Sequence, residues 1–423
     1  MGLFVLALFF LFVGFGVPIG IALVFPSILY IIIQDIPISV VAQRMTYALD
    51  SFTLLAVPIF VFVGSLLNTT GITTRIFTFA QTLVGHFTGG LAHVNIFSSL
   101  IMSGTSGSAL ADIGGVGRTL IHAMHKNGYK KEYAAAVTAA SATVGPIFPP
   151  SIPLIMFGVL SQTSVISLLL GGIVPALLTV VSLMLLTAWI AKKRNFPKSG
   201  RSSGKEIGNS FLRALPALLT PVILIAGMLL GYFSPTEAAV VTVVYIMIIS
   251  LFVYREFSLK EFFRAAIEAV ESTAVILFMV ASAALFSWVI TVEQVPEMIR
   301  GFLQLFESNP IILLLIVNLI VLLVGCFLET IASLFLLTPL LVPALVAQGF
   351  DPVHVGLIIV FNLMIGLLTP PMGMSLFLSS EIAKTPVEQV LKEVLPYYLP
   401  LLLTLMLITF FPSLVLWIPN LVK

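Results

Sequence analysis

Long apolar runs separated by short polar breaks make up most of this chain, and strand-type alternation is absent. Residues 3–33 form one long or Pro18-interrupted hydrophobic stretch. Further apolar stretches cover about 47–67, 90–102, 130–147, 152–190, 212–232, 238–254, 270–291, 310–328, 334–347, 355–369 and 395–418. A helix needs roughly 20 apolar residues to cross a bilayer, so the length leaves room for on the order of ten to twelve spans. Outer-membrane barrels are built of short alternating segments, and that class is excluded. The pattern predicts an all-α polytopic membrane protein.

The longest polar break, Lys192 to Arg213, carries Lys192, Lys193, Arg194, Lys198, Arg201, Lys205 and Arg213 against one acid, Glu206. By the positive-inside rule it faces the cytoplasm, and the basic break around Arg255, Lys260 and Arg264, two spans later, fits the same side. Between them, Ser234-Pro235-Thr236-Glu237 reads as a helix start at the outer surface, with a hydroxyl N-cap, Pro in the first turn and an acid at the positive end of the dipole. Asp50 reads as a helix-start acid as well.

The chain also repeats itself. A shift of 221 positions lays Gly104 on Gly325, Gly128 on Gly349, Gly145 on Gly366 and Pro149-Pro150 on Pro370-Pro371 without a gap. The predicted organisation is a first half, 1–191, with broken segments 103–115 and 145–153. A basic cytoplasmic linker, 192–213, leads to a second half, 214–423, with broken segments 325–330 and 366–373. Repeated halves that meet around broken helices are a secondary-transporter pattern. The parity of spans, and so whether the repeat is inverted, depends on how the Pro-Pro segments are counted.

Composition sharpens the class. Of 423 residues 59% are hydrophobic and 9% charged, and mean hydropathy is +1.15, whereas soluble domains carry about 25% charged residues. A net charge of +2 gives no reason to expect a nucleic-acid partner. The single cysteine, Cys326, excludes an internal disulfide and a cysteine-based metal cluster. The apolar N-terminus lacks a basic leading region and is too long for a signal core, so it reads as structural.

Two adjacent prolines remove two amide donors and free carbonyls that a continuous helix would use. Non-helical backbone at membrane depth survives only when buried in protein or lining a wet cavity. Freed carbonyls with nearby Ser and Thr hydroxyls are hard oxygen ligands suited to sodium, and half-helix N-termini opposite them suit an anionic group. The ordinary role of such Pro and Gly is a kink or a close-packing point. Matched pairs in both halves favour a transport site over that role. Asp112 and Glu329 each fall inside a broken segment and are functional candidates by default. Asp112 has three candidate roles: ordering the Ser/Thr-rich loop, binding an ion, or pairing with Arg118. His122 and His125 share a helix face beside Lys126 and Lys130, which reads as a solvated surface. Gly104-Thr105-Ser106-Gly107 matches the nucleophile pattern of intramembrane serine proteases, with Ser106 as nucleophile and His354 as the later histidine. That reading leaves the repeat and both Pro-Pro segments unexplained.

These residues resemble the large membrane subunit of tripartite ATP-independent periplasmic (TRAP) transporters. The resemblance rests on Leu49-Asp50-Ser51-Phe52 with Leu55-Ala56-Val57-Pro58, Asn68 to Arg75, Ser106-Gly107-Ser108-Ala109 with Ala111-Asp112, Pro149-Pro150-Ser151, Phe233 to Ala238 and Thr369-Pro370-Pro371. It implies two repeats with re-entrant hairpins in an elevator-type fold. It also implies a sodium-coupled importer, not an enzyme, in the bacterial inner membrane, with sodium ions as the only metal. The implied partners are a small four-helix membrane subunit and a periplasmic binding protein that delivers an organic acid. By resemblance, one sodium lies near Ser103, Gly145, Phe148 and Pro150, a second near Gly325, Gly366, Thr369 and Met372, and the substrate carboxylate near Ser106, Ser108 and Asp112. Gly85-His86, Thr88-Gly89-Gly90 and His93-Val94-Asn95-Ile96 look most like the sialic-acid branch, with C4-dicarboxylate and sugar-acid branches as alternatives. A channel or a non-transporting scaffold subunit belongs to a different class. The absence of a P-loop agrees with gradient coupling.

Overall fold

Apolar side chains all round a helix favour burial in lipid or protein, and Gly and Pro decide where each helix stops. The structure is a computed structural model that describes residues 1–198, 200–304, 306 and 309–422, without the side chains of residues 68, 69, 105 and 106. The described residues are helical with turns and loops and contain no strand. Among them, seven helices are long and apolar enough to cross a membrane, or eight if Ser39–Leu49 and Phe52–Leu67 form one span bent by 64°. That is fewer than the ten to twelve for which the length has room. Several apolar stretches are half-spans cut by Gly and Pro, so 130–147 yields Lys131–Ala142 followed by an unwound segment. The 3–33 stretch divides into Gly2–Gly14 and Ile19–Ile33, with Pro18 as the residue before the second helix.

Asp50 does not start a helix. It lies at the bend, at the C-terminal end of Ser39–Leu49, and Ser51 precedes the short 3-10 helix Phe52–Leu55. The start at Ser234 is as predicted: the Ser234 hydroxyl accepts from the Glu237 amide, and the Glu237 carboxylate accepts from the Ser234 amide. His122 and His125 are exposed. The polar linker is itself helical from Gly204, under a second such cap by Ser203 and Glu206.

The 221-residue shift extends to the backbone. Gly128 and Gly349 precede matched helices with φ of +86° and +89°. Lys131–Ala142 and Pro352–Gly366 start at matched positions, and so do the helices that open at Ala109 and Thr330. Both Pro-Pro bonds are cis.

The two halves enter from opposite sides. Gly90–Ser106 starts beside the basic linker, where the Gly89 amide donates to the Pro197 carbonyl at 3.3 Å. At about 1.5 Å per residue its 17 residues rise about 25 Å, short of a bilayer. The chain turns at Gly107, in the left-handed region at φ +61°, and returns through Ala109–Lys126 to Tyr129, whose ring lies 4.8 Å from Phe196 of the linker. The second hairpin, Pro310–Phe327 and Thr330–Ala347, follows Leu259–Val292. That 34-residue helix carries the chain from the basic Arg255 segment to the opposite side, where Glu293 meets the N-terminal ammonium at 2.9 Å. One hairpin therefore opens toward the basic side and the other away from it: the repeat is inverted.

Candidate functional site

Both hairpin tips border one cavity, each packed against the unwound segment of its own half. A Cβ on Gly107 would lie 2.6 Å from the Pro150 carbonyl oxygen, so only a glycine lets the first tip come this close. At the second tip, a Cβ on Gly366 would lie 2.6 Å from the carbonyl carbon of Gly325, and the Met372 amide donates to the Cys326 carbonyl at 3.1 Å. Buried amide clamps hold each hairpin's first leg to the helix that runs into the unwound segment. In the first half, Asn95 donates to Thr138 at 2.7 Å and accepts from Ser141 at 3.1 Å. In the second, Asn362 donates to the Asn318 side chain at 2.6 Å. Ser141 and Asn362 are separated by the repeat shift itself.

The segments that carry the residues of the first expected sodium site pack against each other. Ser103 is buried, Phe148 packs 3.6 Å from the position a Cβ on Gly104 would take, and Pro150 and Gly145 line the unwound turn. Among the described residues no hydrogen bond reaches the carbonyls of Gly145, Phe148 or Pro150. The Ser103 hydroxyl donates to the Ser99 carbonyl, which commits its proton and leaves lone pairs for a cation. The second set repeats the arrangement. The Gly325, Thr369 and Met372 carbonyls accept no hydrogen bond among the described residues, and the Thr369 hydroxyl donates to the Ile365 carbonyl at 2.8 Å. The Gly366 carbonyl keeps one bond, from the Thr369 amide at 2.8 Å. These donor sets suit a hard monovalent cation held mainly by backbone oxygen. The two sites differ in exposure: Pro150 and Ser151 are buried, whereas Pro371 is exposed and Met372 is 58% exposed.

A cavity of about 220 Å³ lies between the tips. Gly107, Ser108 and Pro146 line it from the first half, and Glu329, Thr330 and Leu367 from the second. Gly64, Ser65, Ser272 and Ile276 close the far side, on Ala56–Thr69 and Leu259–Val292. Of the three residues expected to bind substrate, Ser108 lines the cavity, and its hydroxyl accepts from the Ala111 amide. Asp112 is buried behind it against the first unwound turn, with Oδ2 2.7 Å from the position of a Cβ on Gly145. The Ser106 side chain lies outside the described residues. Glu329 lines the cavity and caps its helix, its Oε2 accepting from the amides of Ile331 at 2.9 Å and Ala332 at 3.3 Å. Sequence reasoning missed the wall of Gly64, Ser65 and Ser272, small residues inside apolar helices that carry no motif. His354, the histidine of the protease reading, is buried and bonded through Nε2 to the Ile408 carbonyl at 2.7 Å.

Residues 6–414 match the family model described as "Tripartite ATP-independent periplasmic transporter, DctM component". The sialic acid TRAP transporter large permease protein SiaM of Vibrio cholerae is 44% identical over 407 residues, covering 96% of this chain and 95% of that protein. The sialic acid TRAP transporter permease protein SiaT of Haemophilus influenzae is 40% identical over 96% of this chain, which spans 66% of that protein's length. The crystal structure of the Alcanivorax borkumensis YdaH transporter, described as having an unusual topology, superposes with a TM-score of 0.65 at 16% identity, covering 88% of this chain and 87% of that one. The relatives are transporter permeases, not enzymes.

Proposed function

The chain belongs to the DctM-component family of tripartite ATP-independent periplasmic transporters, and on that premise we propose that it is the sodium-coupled large permease subunit of an organic-acid importer, with sialic acid as substrate. It works in the bacterial inner membrane with a small four-helix membrane subunit and a periplasmic binding protein that delivers the substrate. The observation that carries this reading is the cavity between two inverted hairpin tips, with a set of unbonded carbonyls beside each tip. Sodium held by Ser103, Gly145, Phe148 and Pro150, and by Gly325, Gly366, Thr369 and Met372, would brace each tip against its unwound segment. It would also supply positive charge that the cavity lining itself lacks. Substrate then sits against Ser108, with Asp112 ordering the turn behind it and Ser106 beside it. The two repeats form a transport body that slides, elevator-fashion, against a scaffold containing Ala56–Thr69 and Leu259–Val292. C4-dicarboxylates and sugar acids are the alternative substrates.

The test is sodium titration of uptake in liposomes. Thr369→Ala and Ser103→Ala each remove one oxygen ligand. A ligand worth about 1.4 kcal/mol corresponds to roughly a tenfold rise in the sodium needed for half-maximal uptake. Expression should stay near wild type. Equal loss of expression and sodium dependence would sink the assignment.

A further inference from the structure

The second unwound segment carries a tie that the first lacks. One peptide unit joins Leu368 to Thr369, and because it is planar, holding both of its ends fixes the plane. At one end the Thr369 amide donates to the Gly366 carbonyl at 2.8 Å. At the other the Tyr398 hydroxyl, on the helix Val387–Phe410, donates to the Leu368 carbonyl at 2.6 Å. The same phenol oxygen lies beside the Thr369 hydroxyl. In the first half the matched carbonyl is that of Ile147, which accepts no such bond among the described residues. It packs instead against Gly172, where a Cβ would collide with the oxygen. The residue 221 positions before Tyr398 is Leu177, an exposed side chain with no proton to give. The two halves thus hold one carbonyl by different means: close packing where Pro150 and Ser151 are buried, a hydrogen bond where Pro371 and Met372 are exposed.

We propose that Tyr398 is a positioning residue for the second sodium site, holding the Leu368–Thr369 peptide unit so that Thr369 stays in place as a ligand. This rests on the sodium-coupled reading above. Neutral backbone and hydroxyl oxygens carry no net charge, so their value to a cation depends on being held where several of them serve one ion. Tyr398 is not one of those oxygens; it acts through Leu368. With both ends of the unit tied, the Thr369 hydroxyl and carbonyl stay beside Gly366 and Cys326. Without the phenol proton the Leu368 carbonyl loses its partner and the unit is free to turn toward another donor. Thr369 then turns with it, since the two residues share the plane. The first site needs no such tie, because Gly172 leaves no room for the Ile147 carbonyl to move.

The experiment measures binding of labelled sodium to the purified complex of this chain with its small subunit, and the melting temperature of the complex with and without sodium. Tyr398→Phe keeps the ring and removes the hydroxyl. The sodium needed for half-saturation should rise roughly tenfold, the low end of the usual loss for an outer hydrogen bond of a metal site, with full binding recovered at high sodium. Leu177→Ala, at the matched position of the first half, should leave it unchanged. Added to Thr369→Ala, Tyr398→Phe should have little further effect, because both act on one site. Added to Ser103→Ala, which acts on the other, it should show its full effect. A Tyr398→Phe complex that melts lower without sodium yet half-saturates at the wild-type concentration makes Tyr398 a packing residue and overturns the proposal, as does a variant that matches wild type in both measurements. A wild-type complex that neither binds sodium nor gains stability from it overturns the sodium-coupled reading itself.

Discussion

Two glycines on facing backbones make the sharpest single-residue prediction. A Cβ on Gly366 would lie 2.6 to 2.8 Å from the C, Cα and O atoms of Gly325, all backbone atoms in a packed tip. A Cβ on Gly325 would meet nothing closer than 3.1 Å, at a Leu363 methyl that can turn aside. Gly366→Ala should therefore cost about 1–3 kcal/mol or more, the usual range for overpacking, and Gly325→Ala distinctly less. Thermal unfolding of the two purified variants checks the order, and equal losses would contradict the backbone contact. At this scale the sequence was informative where a residue's chemistry allows few alternatives. Pro-Pro pairs and the Ser234–Glu237 cap read correctly because each leaves the backbone little choice. Asp112 was harder, because its type marks importance and says nothing of whether it faces the cavity or the turn behind it. The pairing of Ser108 with Glu329 was visible at the repeat shift but carries no recognisable motif.

The elements are tied by polar contacts that apolar helices cannot replace. Asn362 donates to both the carbonyl and the side chain of Asn318, which in turn donates to Thr409 at 3.1 Å. Asn362→Leu would leave a buried Asn318 acceptor unpaired, at about 1–3 kcal/mol. The loss should appear as a lower melting temperature with the helix content unchanged. At the basic side, Arg75 joins Glu256 at 2.8 Å and lies 4.0 Å over the Tyr254 ring. The Arg75 hydrogen bond holds the Glu256 carboxyl below its ordinary value. A depressed carboxyl stabilises the fold above the unfolded-state value and loses that contribution as pH falls through the folded one. Both partners are partly exposed, so the effect is small. The difference in melting temperature between wild type and Glu256→Gln should be largest near neutrality and vanish in acid. A difference that grows toward acid would contradict the pairing.

For the molecule as a whole, inversion was the property that the linear pattern left open. Counting spans from hydropathy fails when helices stop at mid-depth, because a half-span and a full span look alike over fifteen residues. The structure resolves this through the linker, which lies beside the start of the first hairpin, and through Leu259–Val292, which carries the second to the other side. Inversion gives one chain two related ways to expose a central cavity, and that is the physical basis of the import mechanism proposed for it. The most direct test places the chain and its small subunit in liposomes and follows labelled sialic acid. Uptake should require both an inward sodium gradient and a loaded binding protein. Flux that ignores both would contradict the account.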